Sequence, residues 1–154
     1  MCAPPLKAPR GRAGPCAKTR GVKIFKLEEA AALLPVIRPA LEKLVRRRRD
    51  LAIALLEADV ARGFGGESGG GRDPLLLRRD ARELQEELVT LVEAIQRHGC
   101  VVKDIDLGLV DFPALRGGQL VNLCWKLGEP DIRFWHGVDE GFASRKPLTR
   151  RRTT

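Results

Sequence analysis

Two stretches of this chain carry apolar residues at alternating spacings of three and four, and this pattern constrains the fold more than any other feature. Such spacing returns an apolar side chain to the same side of an α-helix about once per turn, so each stretch predicts a helix with one apolar stripe. The first stripe runs from Leu34 to Ala58, and the second runs from Leu77 to His98 with a continuous seven-residue repeat. Two such helices bury their stripes against each other, which predicts a coiled-coil-like pair.

Two prolines disfavour a continuous first helix. Pro35 and Pro39 each remove a backbone hydrogen-bond donor, and in a helix interior each would cost about 3 kcal/mol. The sequence therefore predicts a helix over about 27–62 whose first residues, 27–34, form a separate or kinked turn.

A Gly-rich segment at 63–72 separates the two stretches and predicts a turn between antiparallel helices. It lacks the Gly-Lys-Ser/Thr sequence and the preceding strand that a phosphate-binding P-loop requires. Asp73 followed by Pro74 is a typical N-cap and first-turn pair, and Gly99 is well placed to end the second helix, predicted over 73–98.

After Gly99 the composition changes to that of a β module, predicted over 100–136. Strands are expected at 119–127 and 132–136, paired so that Leu127 lies opposite Ile132. That register gives one apolar face, made of Val121, Leu123, Trp125, Leu127, Ile132, Phe134 and His136. The other face carries Asn122, Cys124, Lys126, Arg133 and Trp135. Because Cys124 and His136 fall on opposite faces, the register disfavours a shared zinc site or a cysteine–histidine catalytic pair.

These elements predict an α+β fold in which a long antiparallel helical hairpin packs with a small antiparallel β-sheet. One domain is expected over 23–148, preceded by a disordered basic extension at 1–22 and followed by a basic tail at 149–154.

Charge is divided unevenly along the chain, whose net charge is +8. Residues 1–26 and 145–154 hold seven and five basic residues without an acid, whereas the segment between them is net acidic. Solvated tails are the simplest interpretation, and weak contact with nucleic acid is the alternative. No apolar leader and no run of about 18 apolar residues is present, which predicts a cytoplasmic protein without a membrane span, with its four cysteines as free thiols.

Chemistry-bearing residues concentrate between Val102 and Leu148. One histidine among several carboxylates suits a divalent metal ion or general acid–base chemistry. The predicted metal ligands are Asp104, Asp106 and His136, and the candidate catalytic residues are His136, Asp104 and Asp111. The competing interpretation makes His136 a packed residue and the aspartates turn caps. Trp135 beside Arg133 is a candidate ligand-binding pair.

Two groups of motifs resemble one protein family. The segment at 25–35 reads FKLEEAAALLP, and the family opening has Asn where Ala31 stands here. The second group comprises Lys103-Asp104, Gly108-Leu109-Val110-Asp111-Phe112-Pro113, Leu123-Cys124-Trp125, Gly128-Glu129, Trp135-His136 and Gly141-Phe142. From about Phe25 to Leu148 the chain resembles a bacterial family of uncharacterised proteins, domain of unknown function 2203. The resemblance implies no catalytic role, but it marks Glu28 and Glu29 as candidate ligand-binding residues beside the β module.

The leading functional hypothesis is a non-enzymatic scaffold or binding module, with a protein partner or a second copy docking on the helical hairpin. A metal-dependent enzyme or metal-binding protein using His136 with nearby aspartates is the first alternative. A nucleic-acid-binding accessory protein with basic tails is the second.

Overall fold

The computed structural model describes residues 21–63 and 72–149. Most of the predicted extension at 1–22, of the Gly-rich loop at 63–72 and of the tail at 149–154 lies outside these residues.

Two long helices pack along each other. Helix α1 spans Leu27–Gly63 and helix α2 spans Pro74–Gln96, and the residues predicted as their stripes supply most of their buried positions. Ion pairs join Lys43 near the middle of α1 to Glu87 just past the middle of α2, and Glu57 near the end of α1 to Arg72 just before α2. This order of contacts makes the helices antiparallel, which confirms the predicted hairpin.

The prediction of a separate turn at 27–34 is wrong, because α1 is continuous through both prolines. Pro35 and Pro39 are exposed, while Leu34 and Ile37 on the opposite side of the helix are buried. The carbonyls that lose a hydrogen bond to a proline therefore face the solvent side, where water satisfies them, and burial of the other side holds the helix together.

Within residues 72–149 of the described structure, five strands follow the helices, and each pairs antiparallel with the next in the order β1-β2-β3-β4-β5. The β2–β3 hairpin turns at Gly117 and Gly118, which have φ values of 57° and 78°. A two-residue hairpin turn of type I′ requires a positive φ at both of its central residues. A short 3-10 helix, Phe142–Ser144, lies between the last two strands. The strands are Val101–Asp104, Leu109–Arg116, Gln119–Lys126, Phe134–Gly137 and Lys146–Pro147.

One face of the sheet packs against the helical hairpin and forms a single core with it. Phe112 and Trp125 are fully buried in this core, and the Phe112 ring meets the Phe25 ring edge-on at a centroid distance of 5.4 Å. The opposite face of the sheet, called here the outer face, points away from the hairpin. The α+β fold class predicted from the sequence is confirmed. No helix among residues 21–63 and 72–149 has the length and apolar content to cross a membrane.

The predicted register between β3 and β4 is wrong by one residue. Leu123 lies opposite Trp135 and Asn122 lies opposite His136, so His136 belongs to the outer face and Trp135 to the helix-facing side. A shift of one residue transfers every side chain of a strand to the other face. The cause is Glu129, whose backbone carbonyl accepts a hydrogen bond from the Trp125 indole and whose carboxylate accepts one from the Lys126 amide. These bonds hold 127–133 as a loop instead of extending both strands.

Candidate metal centre

Three adjacent strands bring an aspartate, a cysteine and a histidine together on the outer face. Asp111 on β2 lies directly opposite Cys124 on β3, and His136 on β4 lies opposite Asn122, two residues before Cys124 on the same face. One donor atom from each of Asp111, Cys124 and His136 lies within 4.8 Å of the other two. The three residues are 1%, 1% and 3% exposed, so the cluster is fully enclosed.

The backbone fixes how the His136 ring presents its nitrogens. Nδ1 lies 2.8 Å from the carbonyl oxygen of Gly137, and because a carbonyl only accepts, Nδ1 carries the proton and donates. In the neutral ring Nε2 then offers a lone pair, and Nε2 lies 3.1 Å from Oδ2 of Asp111. A metal-binding histidine commonly donates one ring N–H to a carbonyl, as Nδ1 does here, and this leaves the other nitrogen for the ion.

The Asp111 carboxylate lies beside the Cys124 thiol and the His136 imidazole, in a position that water does not reach. The 3.1 Å separation from His136 is within hydrogen-bond range, yet neither Asp111 oxygen accepts a hydrogen bond of acceptable geometry from the described part of the chain. The 3.1 Å contact between His136 and Asp111 is therefore not a hydrogen bond, because a short distance without alignment does not make one. A buried carboxylate without hydrogen bonds costs several kcal/mol unless a cation compensates it.

Cys124 is chemically inert as a free thiol in this environment. Burial raises its pKa to about 12, and the neighbouring Asp111 carboxylate acts in the same direction. A thiol with this pKa is almost entirely protonated near neutral pH and is a poor nucleophile. Cys100, the other cysteine among the described residues, is also buried, with its pKa raised to about 11 by burial, and it lies outside the cluster.

Of the residues predicted as metal ligands, His136 alone enters the cluster. Asp104 accepts a hydrogen bond from the Leu107 amide in the β1–β2 turn, which is the turn-capping role that the competing interpretation gave it. Asp106 is exposed and lies 3.5 Å from Arg48 in an ion pair. Asp111, predicted as a catalytic candidate, does lie beside His136.

The predicted ligand-binding residues do not join the cluster. Glu28 and Glu29 are exposed in the first turn of α1, where Glu29 accepts a hydrogen bond from the Lys26 amide. Trp135 is partly buried, with cations of Arg116 and Lys146 each 4.9 Å from its ring centroid. Arg133 lines a surface cleft of about 500 Å³ together with Leu27, Asp131, Ile132, Phe134, Pro147 and Leu148.

Cys124 is the member of the cluster that sequence reasoning excluded. The exclusion depended on the strand register, and the one-residue error placed Cys124 and His136 on opposite faces. No sequence signal could have corrected it, because the pairing of β3 with β4 depends on the loop that contains Glu129.

The fold and this cluster define a small α+β protein with a buried Asp–Cys–His group on three neighbouring strands. The chain belongs to the family described as Uncharacterized conserved protein (DUF2203), which matches residues 23–148 and so confirms the resemblance seen in the motifs. No curated protein and no solved structure matches it.

Proposed function

We propose that this protein is a non-enzymatic metal-binding protein that holds one divalent transition-metal ion between Asp111, Cys124 and His136. The observation that carries the proposal is the enclosed Asp111 carboxylate, which accepts no aligned hydrogen bond from the described residues and lies 3.1 Å from Nε2 of His136. A cation between these groups would satisfy the carboxylate, the imidazole lone pair and the thiolate together.

The donor set favours zinc or an ion of similar chemistry. Sulfur, imidazole nitrogen and carboxylate oxygen are the three ligand types that zinc takes in proteins, at about 2.0–2.3 Å. Tetrahedral coordination at those lengths separates neighbouring donors by roughly 3.3–3.8 Å. The present donors lie within 4.8 Å of one another, so rotations that move them about 1 Å would complete the site. A zinc ion with one carboxylate and one thiolate is neutral overall, which suits an enclosed position.

Burial argues for an ion with a structural role. Three protein ligands leave a fourth position, which catalytic zinc sites use for water or substrate. Here all three ligands are at most 3% exposed, and the surface clefts of about 500 and 440 Å³ are lined by other residues. The ion would join β2, β3 and β4 on the face that the helical hairpin leaves uncovered.

Zinc uptake tests the proposal directly. Full-length protein is stripped with a chelator, dialysed against zinc and desalted, and metal is then counted by mass spectrometry. We expect one zinc ion per chain in the wild type. Cys124→Ser and His136→Gln should lose it, because each replaces a good zinc ligand with a poor one.

The Cys100→Ala variant is the matched control, since it removes the other buried thiol of the described residues but leaves the cluster intact. It should retain one zinc ion per chain. Equal zinc content in the wild type and Cys124→Ser, or no zinc in any sample, would contradict the proposal.

Zinc affinity should rise with pH. Because the pKa of Cys124 is about 12 in the metal-free protein, the thiol is protonated near neutral pH and must release its proton to bind the ion. Release of one proton raises the association constant about tenfold per pH unit below that pKa. Competition with a calibrated chelator at about pH 7, 8 and 9 measures the slope. A pH-independent affinity would mean that the thiolate is not a ligand.

A further inference from the structure

The segment 138–148, called here the strap, follows β4 and contacts the outer face beside the metal centre. It includes the short 3-10 helix and β5, which has only two residues. The strap is joined to β4 by the short pairing of β5 with β4, in which Phe134 lies opposite Pro147 and Trp135 opposite Lys146. The Leu148 amide also donates to the Arg133 carbonyl at 2.7 Å, and Glu140 accepts from the Gly137 amide.

Arg145 ties the strap to the cysteine side of the centre. Its Nη2 lies 2.7 Å from both carboxylate oxygens of Glu129 and 3.5 Å from the carbonyl oxygen of Cys124. The guanidinium also lies 4.1 Å from the ring centroid of Phe134, which is the cross-strand partner of Cys124, and 4.8 Å from that of Phe142. A single side chain thus bridges the strap, the β3–β4 loop and the strand pair that carries the thiol.

The ion pair between Arg145 and Glu129 is strong, but one nitrogen of Arg145 has no hydrogen-bond partner among the described residues. The Arg145 side chain is only 10% exposed, and that of Glu129 is 21% exposed, so their ion pair is shielded from water. However, Nε of Arg145 is buried without a hydrogen-bond partner among the described residues, which weakens the contact. A contact with one unsatisfied group opens more readily than a fully satisfied one.

We infer that Arg145 acts as the latch of the strap and controls access of ions and small reagents to the enclosed centre. When the Arg145–Glu129 pair opens, the strap leaves Phe134 and uncovers Cys124, its strand partner. Arg145 is a positioning residue in this mechanism, because it contacts only the Cys124 backbone and none of the three proposed ligand atoms. The control of metal exchange rests on the proposed function, whereas the control of access to Cys124 does not.

Thiol labelling of the metal-free, full-length protein tests the latch. The protein is incubated with iodoacetamide in the presence of a chelator, and peptide mass spectrometry follows the labelling of each cysteine. Arg145→Ala should raise the labelling rate of Cys124 about tenfold or more, because opening no longer breaks a charge-assisted contact. The labelling rate of Cys100, which lies outside this face, should stay at the wild-type value.

Lys146→Ala is the matched control, since it removes a cation from the same strap that contacts the exposed Glu140 and the Trp135 ring but neither Glu129 nor Cys124. It should change the Cys124 rate by no more than about twofold. Glu129→Gln weakens the latch from the other side and carries the test if Arg145→Ala does not fold. A Cys124 rate within twofold of wild type in the latch variants, or a parallel rise at Cys100, would overturn the proposal.

The rate of zinc release tests the latch separately from the metal site. Transfer of zinc from the loaded protein to a chromogenic chelator should be about tenfold faster in Arg145→Ala than in the wild type. If the wild type takes up no zinc, the proposed function fails, and the labelling rates still decide whether Arg145 closes the strap. If zinc binds and leaves both proteins at the same rate, the latch fails while the metal site stands.

Discussion

Zinc is expected to raise the free energy of unfolding by about 4 kcal/mol when its free concentration is a thousandfold above the dissociation constant. The reason is that the three ligands lie on three strands and meet only in the folded chain, so the ion binds the folded state much more tightly than the unfolded state. For a chain of this length, the corresponding rise in melting temperature is about 10 °C. Thermal unfolding followed by circular dichroism, with zinc and then with excess chelator, measures the change.

The Cys124→Ser variant provides the control for this effect. Serine preserves the size of the side chain but not the thiolate, so zinc should leave its melting temperature within about 2 °C of the metal-free value. An equal increase in the wild type and in Cys124→Ser would place the stabilising ion elsewhere on the chain. An unchanged wild-type melting temperature at saturating zinc would contradict the proposal that the ion has a structural role.

The helical half of the fold can be predicted from the sequence because its apolar spacing is repeated many times. Residues from Leu34 to Ala58 and from Leu77 to Ile95 repeat the same spacing over many turns, and an error at one position leaves the rest of the pattern intact. The prediction failed only at Pro35 and Pro39, where local backbone preference disfavours a helix. Their exposure lets water satisfy the freed carbonyls, and tertiary packing of the buried side outweighs the local cost.

The cluster of Asp111, Cys124 and His136 could not be predicted from the sequence, because a strand register, unlike a helical stripe, is not redundant. A strand has a side-chain period of two, so one error in pairing moves every residue to the wrong face. Hydrogen bonds from Trp125 and Lys126 to Glu129 decide the pairing of β3 with β4, and no local pattern predicts them. His136 was correctly singled out for its chemistry, but its partners come from β2 and β3 and not from the nearby Asp104 and Asp106.

The two tryptophans now lie on the same side of the sheet and offer a matched comparison of core burial. Trp125 is 0% exposed, donates its indole N–H to the Glu129 carbonyl at 3.1 Å and lies beneath the Arg38 guanidinium, whereas Trp135 is only partly buried near the sheet edge.

We expect Trp125→Ala to lower the free energy of unfolding by about 3–5 kcal/mol, because it removes a large buried ring, leaves a cavity and frees the Glu129 loop that fixes the β3–β4 register. Trp135→Ala should cost less than about half as much, since its ring keeps partial access to water. Urea unfolding followed by circular dichroism measures the free energy of unfolding of both variants, and the slope with denaturant shows whether each variant still unfolds cooperatively.

Equal losses of unfolding free energy at the two positions would mean that the enclosed Trp125 ring does not anchor the core. A loss confined to Trp125 that also abolishes zinc uptake would show that the register it fixes is the one that aligns Cys124 with His136.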